Sequence, residues 1–138
     1  MKPLIFLVAV ALLAGCSSDD MTNSQGSLDQ PFKVGYGQHV TLLREDLTLS
    51  FTQLNGDGRC PAGWECLVVG QATITVALSK EAFPAETRML TLGGSVPGAN
   101  VATYLDYTIT LVKLDPYPIN DGPRNPNAYV ATLVVTKT

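Results

Sequence analysis

Histidine is nearly missing from this chain, and that scarcity excludes a good deal of chemistry. There is one, His39. A Ser-His-Asp or Cys-His arrangement, or a histidine-based metal site, would have only that residue to use. His39 precedes apolar Val40 in a stretch that reads as strand, so an exposed strand position is expected for it. Cysteine is scarce too, with three, at 16, 60 and 66. Five residues lie between Cys60 and Cys66, a C-x5-C spacing that fits neither the usual zinc spacings nor a C-x-x-C redox pair. Charged residues make up 15% of the chain, with a net charge of −3, and they are scattered. No basic patch exists for nucleic acid or for anionic lipid. No Gly-x-Gly-x-x-Gly or Walker-type loop stands in a strand-to-helix setting, and no Gly-x-Ser-x-Gly elbow is present. No cofactor and no metal are expected. No apolar run reaches the about 20 residues that a membrane-spanning helix needs.

What is present begins at the N-terminus. Lys2 supplies one positive charge, and Pro3 to Ala14 is wholly apolar apart from the proline. That length suits the apolar region of a secretory signal peptide. Leu13-Ala14-Gly15-Cys16 closes it and resembles a bacterial lipobox. The resemblance implies cleavage before Cys16 and acylation of its thiol. One acyl chain holds only marginally, at roughly 0.8 kcal/mol per buried methylene. The lipoproteins it resembles carry two or three. Ser17 follows Cys16 where an Asp would resemble an inner-membrane retention signal. The expected location is therefore the bacterial cell envelope, anchored by lipid in the outer membrane and facing the periplasm.

Three segments are expected. Residues 1–15 are the signal peptide, and 16–30 are the lipidated cysteine and a tether. Residues 31–138 are one domain, a size that fits the chain length. Residues 17–30 are polar and aperiodic, which favours disorder. A flexible chain of that length reaches about 20 Å on average.

From Pro31 onward the pattern is alternation. Val40 and Leu42 share one face. So do Leu47, Leu49 and Phe51; Ala72, Ile74, Val76 and Leu78; Tyr107, Ile109 and Leu111; and Tyr129, Ala131, Leu133 and Val135. Period two is the signature of half-buried strands. Arg88–Leu92 is a shorter candidate. Turn signals separate the runs, among them Asn55-Gly-Asp-Gly58, Gly93-Gly94, Pro97-Gly98 and Asn120-Asp-Gly-Pro123. Glu81–Ala85 could make one helical turn, and Pro84 stops it there. The expected fold is all-β, an antiparallel β-sandwich (Ig-like) or small barrel of roughly six to eight strands. Alternation alone does not separate sandwich from barrel.

Carboxylates are the remaining route to acid–base catalysis. Asp57, Glu65, Asp106, Asp115 and Asp121 are the candidates, and most sit beside Gly or Pro, where Asp shapes turns. Asn55-Gly-Asp-Gly58 is a poor calcium loop. With Gly58 in sixth place, Gln53 and Trp64 would occupy the positions that need carboxylates.

Once Cys16 is assigned to lipid, Cys60 and Cys66 form an even pair in an oxidising compartment, and a disulfide is expected. So short a loop gains about 2 kcal/mol on the chain-entropy argument. The enclosed segment carries Trp64 and Glu65, with Arg59 just outside. Arg and Trp are enriched at binding hot spots, and a staple lowers the entropy lost on binding. Trp64 either caps the sandwich end or belongs to a recognition surface. The Asp115–Asn127 loop is the second candidate surface, with Tyr117 as its anchor.

Asp57-Gly-Arg-Cys-Pro61, then Cys66, then Gly70, resembles a pattern in small bacterial envelope lipoproteins of unknown function. That pattern reads Asp-Ser-Arg-Cys-Pro, a second Cys, then Trp-Ala-Gly and an alternating strand. Tyr107–Leu111 and Tyr129–Val135 look like its C-terminal strands. The chain departs from it at Gly58, where Ser is usual, and at Leu67-Val-Val69, which lacks the Trp. The resemblance implies a β-rich exported domain with a local disulfide and carries no activity. The expected role is non-catalytic: a binding or scaffolding domain with the membrane as support, an envelope protein as partner, and Arg59, Trp64, Glu65 and Tyr117 as contact residues. The alternatives are an inhibitor of secreted proteases, with Arg59 ahead of the bridge, or an enzyme acting on envelope polysaccharide.

Overall fold

A computed structural model describes residues 24–138. The lipobox, Cys16 and the first part of the expected tether lie outside the described residues. Two open sheets face one another, which selects the sandwich over the barrel. One sheet holds β1 (Ser24–Gly26), β3 (His39–Leu42), β4 (Leu47–Asp57), β5 (Gln71–Lys80) and β6 (Glu86–Gly93), in that order. The other holds β2 (Phe32–Gly35), β9 (Val130–Lys137), β8 (Tyr107–Asp115) and β7 (Val101–Tyr104), in that order. Nine strands are described rather than six to eight. The additions are short: β1, β2 and β7 have three or four residues each.

The apolar faces read from alternation are the faces that meet. Leu47, Leu49 and Phe51 of β4 and Ile74, Val76 and Leu78 of β5 are buried from one sheet. Ile109 and Leu111 of β8 and Leu133 and Val135 of β9 are buried from the other. Thr residues fill the alternate positions and pair across strands, as Thr73 and Thr91 do at 2.8 Å. Glu81–Ala85 forms no helix; the chain turns there.

β1 lies inside the stretch expected to be tether. It pairs with β3, parallel to it, from Ser24–Val40 to Gly26–Leu42. Leu28 packs on the core, and the Asp29 amide donates to the Val135 carbonyl at 2.9 Å. Gly26 permits this contact, because a Cβ there would stand 2.6 Å from the Leu42 side chain. β1 has no apolar alternation to announce it. Backbone pairing and a missing side chain place it.

Bulges position the far end of β4. Its pairing with β5 shifts between Phe51 and Gln53 and again between Leu54 and Gly56. Each extra residue inverts the alternation. Leu54, not Gln53, therefore packs on the core, and the Asp57 side chain ends fully buried. Asn55-Gly-Asp57 is thus the end of a strand, not the expected turn. A third shift, between Leu111 and Lys113 in β8, leaves Val112 and Lys113 outward and buries Leu114.

Candidate functional site

β4 and β5, the two longest strands, form a hairpin whose connection runs from Gly58 to Gly70. Connections of this length without secondary structure are uncommon unless they carry function. At the neck, the Gly58 amide donates to the Gln71 carbonyl at 2.8 Å. Gly70 lies so close to the opposite strand that a Cβ would stand 2.0 Å from the Gly58 carbonyl oxygen. Only glycine fits there. Gly58 is different, since a Cβ would meet nothing nearer than 3.7 Å. The Ser of the resembled pattern would fit at that position.

Beneath the neck lies a buried ion pair. Arg59 Nε donates to Asp57 Oδ1 at 2.8 Å and Arg59 Nη2 to Asp57 Oδ2 at 2.7 Å. The Arg59 amide also donates to Oδ1, and the Tyr129 hydroxyl to Oδ2 at 2.8 Å. Four bonds use the lone-pair sites of a carboxylate. Asp57 therefore has no free lone pair with which to accept a substrate proton. Arg59 uses two of its other three donors on the Leu114 carbonyl at 2.8 Å and the Pro116 carbonyl at 3.0 Å. Its guanidinium lies 4.8 Å from the Tyr117 ring centroid. One arginine thus ties the end of β4 to the end of β8 in the opposite sheet.

The electrostatics follow from this packing. Burial pushes the Asp57 carboxyl up. Hydrogen bonds from the Arg59 guanidinium, the Tyr129 hydroxyl and the Arg59 amide, with the Arg59 charge, outweigh it and hold the carboxyl below its usual range. Burial likewise pulls Arg59 down, and the bond and charge of Asp57 raise it overall. Burial, then the bond and charge of Asp57, push the Tyr129 phenol up to about 12.

Above the neck the loop is stapled. Cys60 and Cys66 are joined, with Cα atoms 6.0 Å apart. The Ala62 amide donates to the Pro118 carbonyl at 3.0 Å, and the Tyr117 hydroxyl to the Cys60 carbonyl at 2.9 Å. Arg124 organises the second loop. Its Nε donates to the Asp57 carbonyl and its Nη1 to the carbonyls of Asn120 and Gly122. The two loops named from the sequence are one structure.

The outer surface of this structure carries an apolar run beside the exposed Glu65 and Asp121. Leu67 is fully exposed, Val68 and Val69 are 77% and 75% exposed, and Ile119 is 76% exposed. Beside them a groove of about 590 Å³ is lined by Leu67, Val68, Leu92, Lys113, Leu114 and Tyr117 among others.

The expected contact residues divide. Glu65 is exposed and available. Trp64, 52% exposed, neither caps the sandwich end fully nor stands free. Tyr117 is half-exposed, with its hydroxyl and one ring face already engaged. Arg59 is a correction. It is 7% exposed, and its bonds all point inward, so it offers no cation to a partner or to a protease pocket. His39 is exposed on β3. Among the described residues, no three His, Cys, Asp or Glu side chains come together as a metal-binding group.

Sequence reasoning missed the Tyr129 hydroxyl, Arg124 and the aliphatic run 67–69. Tyr129 was legible as a core residue only, because period two says nothing about where a hydroxyl points. The run 67–69 was visible as three consecutive apolar residues outside any alternation, and that was the available signal. Compared with known proteins, the chain matches no family model, no curated protein and no solved structure.

Proposed function

We propose that this protein is a lipid-anchored component of the bacterial cell envelope with a non-catalytic binding or scaffolding role. Its contact surface is the stapled end of the β4–β5 hairpin. One observation carries the reading: an exposed aliphatic run, Leu67 to Val69, on a base held by a disulfide and a buried ion pair. Apolar patches on a soluble surface mark interaction sites. A rigid base loses little entropy when the patch is covered. The lipobox and the Asp57–Gly70 motif support the envelope setting. Commitment of Asp57 and Arg59 to each other favours binding over hydrolysis and removes the residue on which a protease-inhibitor reading leaned.

The test is photo-crosslinking in cells from position 64, with the core position Ile74 as control. An adduct formed at 64 and absent at 74 supports the surface. No adduct at 64, with protein or with lipid, overturns it.

A further inference from the structure

We infer that the stapled hairpin end docks on the lipid bilayer that carries the anchor, with Trp64, Leu67, Val68, Val69 and Ile119 entering the membrane interface. The inference rests on the proposed lipid anchor and contact surface, and names the surface's occupant.

Chain length is the first argument. β1 (Ser24–Gly26) takes residues from the expected tether, and eight residue steps separate Cys16 from Ser24. The chain from Cys16 to Ser24 spans at most about 27 Å. Direction is the second. β4 runs toward the hairpin end, β3 runs antiparallel to it, and β1 is parallel to β3. The chain therefore enters β1 from the hairpin side. Ser24 lies level with Leu49, through Val40. Because of the two bulges, Leu49 to Asp57 runs beside only six residue steps of β5, Leu78 to Ala72, or about 20 Å of strand. A lipid on Cys16 can thus reach the level of the hairpin end.

Surface chemistry is the third argument. The opposite end exposes Leu43, Phe83 and Leu105, but sets them among Arg44, Glu45, Asp46, Lys80, Asp106 and Lys137, which would have to shed water against a bilayer. The hairpin end presents aliphatic side chains and the chain's one Trp, the residue type that favours membrane interfaces. The Ala62–Pro118 hydrogen bond holds Ile119 beside the loop. Of the charges at this end, Lys113 and Asp115 neutralise each other at 3.3 Å, and exposed Glu65 and Asp121 are the ones that docking would have to keep in the headgroup layer. With no basic cluster, docking is driven by apolar contact and should not depend on anionic lipid.

Because Trp64 is the only tryptophan, its fluorescence reads the loop directly. Full-length acylated protein would be reconstituted into phosphatidylcholine vesicles, and into vesicles of phosphatidylcholine brominated near the head of its chains. Brominated lipid is expected to quench Trp64 by roughly half, with a blue shift against the unreconstituted protein. The double variant Leu67→Asp, Val68→Asp changes only exposed positions. It is expected to keep the wild-type circular dichroism and to lose the quenching. Equal emission in both vesicle types, with acylated Cys16 confirmed by mass, overturns docking. The cross-link from position 64 then separates the failures. A protein adduct leaves the contact surface standing with a protein occupant, and an adduct between copies makes it a dimer interface. No adduct removes the surface as well. A Cys16 found without lipid overturns the anchored reading and this inference together.

Discussion

Each end of the sandwich joins its two sheets with a tyrosine hydroxyl bonded to a carboxylate, but the two carboxylates are solvated differently. At the hairpin end, Tyr129 before β9 donates to Asp57 at the close of β4. At the other end, Tyr107 at the start of β8 donates to Glu45, just before β4, at 2.6 Å. Both carboxylates take a cation as well, Arg59 for Asp57 and Lys137 for Glu45. Asp57 is fully buried and Arg59 almost so, whereas Lys137 is 44% exposed. The same three groups thus form an internal tie at one end and a surface contact at the other. Arginine suits the first, since its planar fork bonds a carboxylate and two carbonyls at once. Lysine suits the second, where water covers what it leaves unbonded.

The sharpest way to break this comparison is to delete each carboxylate. Asp57→Ala leaves Arg59 buried without its partner and is expected to cost about 3–5 kcal/mol in urea unfolding. Glu45→Ala should cost a small fraction of that, because Lys137 can turn to water. Equal losses would mean that burial does not distinguish the ends. The double change Asp57→Leu, Arg59→Met should recover much of the loss, since a buried pair replaced whole by apolar side chains is often neutral.

The staple sharpens the comparison next. Changing Cys60 and Cys66 together to Ser should lower stability by about 2 kcal/mol, as expected for a short closed loop. The neck should survive, because Asp57, Arg59 and Gly70 hold it independently. Trp64 fluorescence and protease sensitivity between 60 and 66 would show whether the loop alone loosens. Collapse of the whole domain would mean that the bridge, not the ion pair, supports the hairpin end.

Titration probes the same end from both sides. Tyr129→Phe should cost about 1–2 kcal/mol through the lost hydroxyl. Asp57 has its carboxyl pKa lowered in the fold. Its contribution is complete above the unfolded value of about 3.9 and is lost as pH falls through the lower folded value. Tyr129 has its pKa raised to about 12. Its contribution is complete below about 10 and is lost as pH rises toward the folded value. Thermal melting against pH should show an acid fall that Asp57→Asn flattens and an alkaline fall that Tyr129→Phe removes.

Much of the fold was legible because it is written in alternation. The inward faces of β4, β5, β8 and β9 follow from period two alone. β1 was illegible because three backbone pairings and Gly26 hold it, with no apolar face of its own. The site was legible as a motif and misread as chemistry. Asp57, Arg59, Cys60, Cys66 and Gly70 were all singled out. The two bulges cancel in parity, so Asp57 falls on the inward face of Leu47, Leu49 and Phe51. But Asn55-Gly-Asp-Gly58 read as a turn, and Arg59 then read as an exposed hot spot when it is the tie between sheets. A hot-spot residue type carries no burial, and burial decides which use it has.

The smallest expected effect concerns salt at the exposed end. The Tyr107 hydroxyl, then Lys137, draw the Glu45 carboxyl below the ordinary glutamate value. That contribution is present above about 4.3 and is lost as pH falls through the folded value. Its ionic part lies in solvent. The screening length is about 10 Å at 0.1 M salt and about 3 Å at 1 M. Raising salt over that range should shrink the cost of Glu45→Gln toward the part due to Tyr107. The cost of Asp57→Asn should stay constant, because no ion reaches a carboxylate enclosed by Arg59 and Tyr129. Melting temperatures for both variants at both salt levels give the answer. If the Asp57→Asn cost also falls with salt, water enters the neck beside Gly58, and the hairpin end is held by its staple more than by its ion pair.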